Sequence, residues 1–246
     1  MLTLSFDSTA KIATAAVCDD GRVLAVYSID NGLTQSELLL PMAEHLLKSL
    51  GFTFDDLGLL ACSVGPGSFT GVRIGTALVK GIAFGRGLPC VAISALEALA
   101  ENLAGISGLI VPVMDARRDQ FYTALFETRK GGDGVCRLSE DAALSLDELA
   151  KRLSAFGDRP IFLVGDGYDG TRAGLLSKGI RVENTPPLLR AQSAASVGRL
   201  AAEKYQAGAY TSDRNLLPTY LRMPQAERER LERLKAESEQ KPTGKA

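Results

Sequence analysis

Apolar and polar positions at the start of the chain follow the pattern of short strands. An apolar run over residues 2–6 ends at Asp7, and two further runs, 12–18 and 23–29, are separated by Asp-Asp-Gly. Runs of this length bounded by turn residues predict strands, and a short polar connection between them predicts a hairpin. The first thirty residues are therefore predicted to form a three-strand meander.

A helix is predicted after the meander. Apolar residues recur at helical spacing from Thr34 or Ser36, the two candidate starts, to Ser49. Pro41 lies inside this pattern and removes one internal hydrogen bond if the helix begins at Thr34. We therefore expect a kink or the later start.

The stretch that organises the rest of the chain combines a buried strand, a tight turn and a long helix. The apolar run 59–64 enters Gly65-Pro66-Gly67, whose glycines permit backbone angles that other residues resist. Ser68 and Thr70 are both candidate N-caps for the helix that follows, toward Gly85. The stretch is neither a P-loop, since the required lysine is absent, nor a nucleophile elbow of the Gly-x-Ser-x-Gly type.

The same order of elements recurs after residue 105. An apolar run again ends in an aspartate, Asp115, and a buried strand again leads into Gly-x-Gly, here at 165–167. Strands are predicted over 109–114, 120–127, 135–138 and 161–164, and helices over 145–153 and 193–207. Order and spacing together predict a duplicated unit. The expected fold class is α/β, with two actin-like (RNase H-like) lobes, each a mixed sheet flanked by helices.

Three segments are expected. Residues 1–105 form the N-terminal lobe, and residues 106–223 form the C-terminal lobe, whose last helix, 193–207, could pack back on the first. Residues 224–246 are a tail of mixed charges, predicted to be partly disordered.

Composition excludes several classes of function. A net charge of −1 provides no global basic field for nucleic acid. The single histidine, His45, excludes a two-histidine metal site and argues against a histidine-paired nucleophile. The four cysteines form no C-x-x-C pair and are predicted to be buried, reduced thiols. No signal peptide or membrane-length apolar run is recognisable, so a cytoplasmic protein without a membrane partner is expected.

The two aspartate turns are candidate nucleotide sites. In the actin and sugar-kinase group, a glycine-containing turn after the aspartate binds phosphates through backbone N–H groups. The turns here, Asp7-Ser8-Thr9-Ala10 and Asp115-Ala116-Arg117-Arg118, both lack glycine. They are read as degenerate phosphate loops, and ordinary hairpin turns are the alternative. Arg117 and Arg118 are candidate anion contacts, or else surface partners of nearby acids; the sequence leaves both open.

The stretch Gly65-Pro66-Gly67-Ser68-Phe69-Thr70-Gly71-Val72-Arg73-Ile74-Gly75 resembles the hallmark of the TsaB (YeaZ) family of bacterial tRNA-modification proteins. Three other pieces agree in order: Asp7-Ser8-Thr9, Met114-Asp115-Ala116-Arg117 and Pro218-Thr219-Tyr220-Leu221-Arg222. The resemblance covers about residues 1–223. One departure is Gln35, which stands where many relatives carry a histidine.

The resemblance implies an actin-like fold and a place in the machinery that attaches threonylcarbamoyl to the adenosine next to the anticodon of tRNAs reading codons that begin with A. It implies a non-catalytic scaffold or activating subunit, paired with the catalytic paralogue TsaD and, through that complex, with the ATPase TsaE. A homodimer is expected in isolation, and tRNA is contacted only indirectly. No cofactor is expected on this chain alone, although ATP or ADP could bind in the complex with TsaD. The alternative is a kinase-like, ATP-dependent or glycoprotease-like enzyme of the same superfamily.

The resemblance also directs attention to the helices of the N-terminal lobe. No catalytic or metal-binding residue is expected. Gly71 and Gly75 lie one helical turn apart and would leave a groove for close approach of another backbone. The predicted partner or dimer interface consists of Leu39, Met42, Ala43, Leu46, Ser68, Phe69, Gly71, Val72, Gly75, Thr76 and Val79.

Overall fold

The first sheet contains the predicted meander and two parallel strands. In the computed structural model, which describes residues 1–222, its strands are β1 (Leu2–Asp7), β2 (Ala13–Asp19), β3 (Arg22–Ile29), β4 (Leu59–Ser63) and β5 (Cys90–Ile93). They lie in the order β3-β2-β1-β4-β5. β1 pairs antiparallel with β2 and parallel with β4. The start of β2 and the end of β4 therefore both lie beside the end of β1 that carries Asp7.

The second sheet repeats this plan. Its strands are β6 (Leu109–Asp115), β7 (Gln120–Thr123), β8 (Phe126–Thr128), β9 (Val135–Arg137), β10 (Ala142–Ser145) and β11 (Ile161–Val164). β6 pairs antiparallel with β7 and β8 and parallel with β11, as β1 does with β2 and β4. The expected fold class, with two related sheets flanked by helices, is confirmed.

Two details of the second sheet differ from the prediction. The strand predicted over 120–127 is interrupted between β7 and β8, where the amide of Leu125 donates to Ser139 Oγ at 2.9 Å. The strand predicted over 135–138 continues after a break as β10, which pairs with β7 and carries a weak apolar pattern. β7 and β8 therefore form one arm of a long hairpin, β9 and β10 form the other, and both arms are interrupted at the same level.

Within residues 1–222, six helices cover the sheets: α1 (Gln35–Leu50), α2 (Phe69–Ala83), α3 (Ala95–Glu101), α4 (Leu146–Ser154), α5 (Tyr168–Ser177) and α6 (Ala194–Gln206), with short 3₁₀ turns at Phe54–Asp56, Pro187–Leu189 and Asp213–Asn215. Apolar residues of α1 and α2 share one core with the first sheet. α6 packs on the opposite face of that sheet, while α3 packs on the second sheet and also contacts α6. α4 and α5 cover the outer face of the second sheet.

The cysteines and the tail can be compared with the sequence predictions. Cys18, Cys62 and Cys90 are free and buried, and burial raises the pKa of the Cys62 thiol to about 12. Cys136 is exposed, contrary to prediction, because it lies on β9 at the edge of the second sheet.

None of the helices within residues 1–222 combines the length and apolarity needed to cross a membrane. The tail predicted over 224–246 lies outside the described residues, and the division at residue 105 stays a prediction.

Candidate functional site

The turn into α2 is fixed against the first aspartate turn. Ser68 is the N-cap, because its side chain accepts from the Gly71 amide at 3.3 Å, and Thr70 lies inside the helix. The Ser68 amide donates to the Thr9 carbonyl at 2.7 Å. A Cβ on Gly67 would lie 2.4 Å from that carbonyl, so only glycine allows this approach.

The groove beside Gly71 and Gly75 is occupied by the chain itself. A Cβ on Gly71 would lie 1.9 Å from the Ser8 carbonyl oxygen, and one on Gly75 would lie 2.5 Å from Ser8 Oγ. Ser8 Oγ donates to the Gly71 carbonyl at 2.8 Å and is buried. Another backbone does approach here, as the sequence suggests, but it is the turn after β1. The assignment of these glycines to a partner interface stays a prediction, and the groove itself is filled within the chain.

Most of the other predicted interface residues are buried within the chain. The side chains that recur on the apolar stripes of α1 and α2 are at most 5% exposed and pack within the chain; they are Leu39, Met42, Ala43, Leu46, Val72, Thr76 and Val79. The stripe marks the face that covers the first sheet, because burying it there removes the most apolar surface from water. Ser68 and Phe69 lie at the mouth of a cleft between the lobes instead.

Asp7 is a structural anchor in this arrangement. Its carboxylate accepts from Ser63 Oγ at 2.5 Å, from the Thr9 amide at 2.8 Å and from Thr9 Oγ1 at 2.7 Å. Burial raises the pKa of Asp7, and these three hydrogen bonds oppose that rise. With its oxygens engaged and the side chain 1% exposed, Asp7 presents no free ligand to the cleft.

The second aspartate turn has a different character. Asp115 is exposed and accepts from the Arg117 amide at 2.7 Å, while the Asp115 amide donates to Asp166 at 3.2 Å. Arg117, Arg118 and Asp119 have φ values of 60°, 55° and 55°, a left-handed conformation that non-glycine residues rarely adopt. This tight turn places both arginines on the wall of the cleft.

The two turns face each other across an open cleft of about 750 Å³. We call it the interlobe cleft, and it is lined by Thr9, Ala10, Lys11, Gln35, Pro66, Gly67, Ser68, Phe69, Thr70, Met114, Asp115, Ala116, Arg117, Arg118, Tyr122, Asp166, Thr219, Tyr220, Leu221 and Arg222. Desolvation of the Asp166 carboxyl raises its pKa; the hydrogen bond from the Asp115 amide is the largest opposing effect, and the positive charge of Lys11 opposes the rise only weakly. Of the predicted loop and anion-contact residues, Thr9, Asp115, Arg117 and Arg118 thus line one cleft, whereas Asp7 and Ser8 are buried and do not line it.

Residues 216–222, which we call the C-terminal segment, also contribute to the cleft, a role that the sequence does not predict. Its Thr219 amide donates to the Val64 carbonyl at 2.7 Å, and Arg222 Nη1 donates to the Ala116 carbonyl at 2.9 Å. The Tyr220 ring lies 4.8 Å from that of Phe69, and its hydroxyl accepts from Arg73 Nε at 2.9 Å. The segment therefore connects the turn into α2 with the second aspartate turn, and the Pro-Thr-Tyr-Leu-Arg motif was its only signal.

Comparisons with known proteins decide the family. A family model described as "TsaD: tRNA N6-adenosine threonylcarbamoyltransferase" matches residues 34–229. The Bacillus subtilis "tRNA threonylcarbamoyladenosine biosynthesis protein TsaB" is 33% identical over 165 residues, which are 67% of this chain and 71% of the relative. This chain belongs to the TsaB family. The Escherichia coli TsaB is 31% identical over 134 residues, 54% of this chain and 58% of that protein.

A solved structure extends the TsaB resemblance to the fold. YeaZ from Pseudomonas aeruginosa superimposes with a TM-score of 0.73 at 25% identity, covering 89% of this chain and 99% of that one. The shared architecture therefore includes both lobes and not only the motif at the start of α2.

Gln35 and His45 are two side chains of α1 that the sequence singles out. Gln35 Nε2 donates to the Ala10 carbonyl at 2.9 Å, which joins the start of α1 to the first aspartate turn. His45 is exposed and its ring lies 5.7 Å from that of Tyr27. Within the described residues, no three His, Cys, Asp or Glu side chains are grouped so as to hold a metal ion.

Proposed function

We propose that this chain is a partner subunit in the biosynthesis of tRNA threonylcarbamoyladenosine and that a TsaD paralogue carries out the transfer. The observation that carries the proposal is the identity to relatives named TsaB, which are named for this pathway. TsaE and tRNA would then reach the complex through the TsaD paralogue.

The chemistry of the interlobe cleft favours the role of a partner subunit over that of the subunit that carries out the transfer. A phosphate-transfer site needs backbone donors and a free aspartate at the first turn. Here the Asp7 carboxylate and the Thr9 amide bond to each other, and Ser8 Oγ is bound to α2. The first turn is thus committed to holding α2 in place.

We propose that the TsaD paralogue binds the outward side of α1 and α2. The inner sides of these two helices pack into the core of the first sheet. We call the outward side the α1–α2 outer face, and it comprises the exposed residues Leu40, Pro41, Ala77, Gly81 and Phe84 and the half-buried Ile74, which also touches the core. Leu40 is 40% exposed and Phe84 is 74% exposed. Ala77 and Gly81 lie one turn apart, and a Cβ on Gly81 would meet nothing within 4 Å. Small residues beside exposed apolar side chains favour close packing of a partner helix.

The experiment compares two substitutions that the fold should tolerate equally. Gly81→Leu fills the α1–α2 outer face, whereas Gly170→Leu, on α5, adds the same side chain where a Cβ also meets open space. Titration calorimetry with a purified TsaD paralogue should show at least tenfold weaker binding for Gly81→Leu and wild-type affinity for Gly170→Leu.

A measurement of self-association distinguishes the proposed pairing with the TsaD paralogue from the alternative that the chain is a homodimer with another task. Sedimentation of the chain alone and with the TsaD paralogue should show that the mixed complex replaces any homodimer formed through the α1–α2 outer face. A chain that pairs only with itself, or a Gly81→Leu variant that binds the paralogue as tightly as wild type, would contradict the proposal.

A further inference from the structure

One edge of the first sheet is open within the described part of the chain. The strand order makes β3 and β5 its two edge strands. β5 has four residues, and its first residue, Cys90, exchanges two backbone hydrogen bonds of 2.8 Å with Thr211. β3 has eight residues, more than any other described strand, and among residues 1–222 only β2 pairs with its backbone. The outward N–H and C=O groups of β3 can therefore form a ladder with another strand.

β3 lacks most of the features that protect edge strands from pairing. Such strands are usually short, or they carry lysine or proline. β3 contains neither residue type, and Val23, Val26 and Tyr27 are exposed on it. A bulge leaves Leu24 without an opposite residue on β2, but residues 25–29 pair with β2 in regular register. This regular stretch, rich in residues that favour strands, is suited to extension of the sheet.

The charges at the two ends of β3 indicate which strand fits beside it. Arg22 begins the strand and Asp30 follows it; both are exposed, and neither forms an ion pair within residues 1–222. The acids next to Arg22 in the hairpin, Asp19 and Asp20, pair with the N-terminal ammonium group at 2.9 and 3.0 Å. An antiparallel second copy of β3 would place the Arg22 end of each chain beside the Asp30 end of the other, whereas a parallel copy would place like charges together.

The side chains of the regular stretch also fit a second copy. Residues opposite each other in an antiparallel pair have the same orientation, so a two-fold axis passes between one residue and its own copy. Tyr27 is the middle of residues 25–29, and alignment there puts Tyr27 opposite its copy, Val26 opposite Ser28 and Ala25 opposite Ile29. The aromatic pair at the centre is a favourable cross-strand contact, and no like charges face each other along the stretch.

We propose that two copies of this chain associate through β3, antiparallel and centred on Tyr27, so that their two five-stranded sheets form one continuous sheet. The pair is closed, because each copy contributes one β3 edge and the two-fold axis uses both. Contact along a single short stretch predicts a weak, reversible dimer. The edge is separate from the α1–α2 outer face, so this association does not depend on the proposed function.

The test is sedimentation equilibrium of the isolated full chain over a wide range of concentration. Val26→Lys adds a charge at an exposed position of the edge, where Val26 is 50% exposed. The matched control is Leu188→Lys in the Pro187–Leu189 turn, where Leu188 is 95% exposed. We expect the wild type to dimerise as its concentration rises, Val26→Lys to weaken the dimer at least tenfold, and the control to match wild type.

Reversal of the end charges tests the direction of the strands. Arg22→Glu and Asp30→Lys should each weaken the dimer at least threefold, because like charges then meet at both ends of the pair. The double variant Arg22→Glu/Asp30→Lys should recover the affinity of the wild type. Within one chain the two positions lie roughly 26 Å apart, at about 3.3 Å per residue, so recovery requires contact between two copies.

Gly81→Leu separates this association from pairing with the TsaD paralogue, because it changes the α1–α2 outer face and should leave the dimer intact. A chain that stays monomeric at every concentration, a dimer that Gly81→Leu disrupts and Val26→Lys does not, or a double charge variant that fails to recover would overturn the proposal. So would loss of TsaD-paralogue binding in Val26→Lys with unchanged self-association, which would assign the edge to that partner. Since the sedimentation test uses the chain alone, its failure is distinguishable from failure of the pairing proposal.

Discussion

At the scale of single residues, the two aspartates that follow equivalent strands have opposite roles. Asp7 is buried and accepts three hydrogen bonds, whereas Asp115 is exposed and accepts one from the Arg117 amide. The sequence shows two similar turns, and the repeat was recognisable from the apolar runs and the aspartates alone. Which of the two aspartates anchors the fold depends on Ser63 and Thr9, whose contacts arise only in the folded chain.

This difference predicts the stability of two matched variants. Asp7→Ala leaves the hydroxyls of Ser63 and Thr9 and the Thr9 amide without their acceptor, and should lower the free energy of unfolding by about 2–4 kcal/mol. Asp115→Ala removes an exposed carboxylate and should lower it by less than about 1 kcal/mol. Urea unfolding followed by circular dichroism measures both. Equal losses in the two variants would show that Asp7 is not the anchor.

At the scale of elements, the sequence predicts the position of α2 well but not which segment of the chain fills the groove at its glycines. The apolar stripe, the Ser68 cap and the preceding strand are local features, so the pattern identifies them. Which element fills the groove at Gly71 and Gly75 is a tertiary fact. The turn after β1 reaches that groove because β4, which leads into α2, pairs with β1.

Two glycines on α2 should therefore respond oppositely to alanine. Gly75→Ala forces a Cβ to 2.5 Å from the buried Ser8 Oγ and should destabilise the fold by about 1–3 kcal/mol. Gly81→Ala faces open space and should stabilise it by up to about 1 kcal/mol, because alanine has the higher helix propensity. Thermal unfolding of both variants provides the comparison. Stabilisation by Gly75→Ala would contradict the packing described for Ser8.

At the scale of the whole molecule, the order of strands and turns predicts the duplicated fold. It does not predict that the C-terminal segment forms part of the wall of the interlobe cleft. The C-terminal segment comes from far along the chain, and its hydrogen bonds to Val64 and Ala116 involve backbone atoms that carry no sequence signal. The broken hairpin between β7 and β10 escaped prediction for a related reason, since short strands with weak alternation resemble loops.

Reconstitution of the pathway tests whether this chain supports a reaction that its paralogue carries out. Threonylcarbamoyladenosine would be measured by mass spectrometry of nucleosides from tRNA incubated with the other pathway proteins, with and without this chain. We expect little modified nucleoside when the chain is omitted, recovery when wild type or Gly170→Leu is added, and poor recovery with Gly81→Leu. Equal yields of modified tRNA with and without the chain would contradict the account.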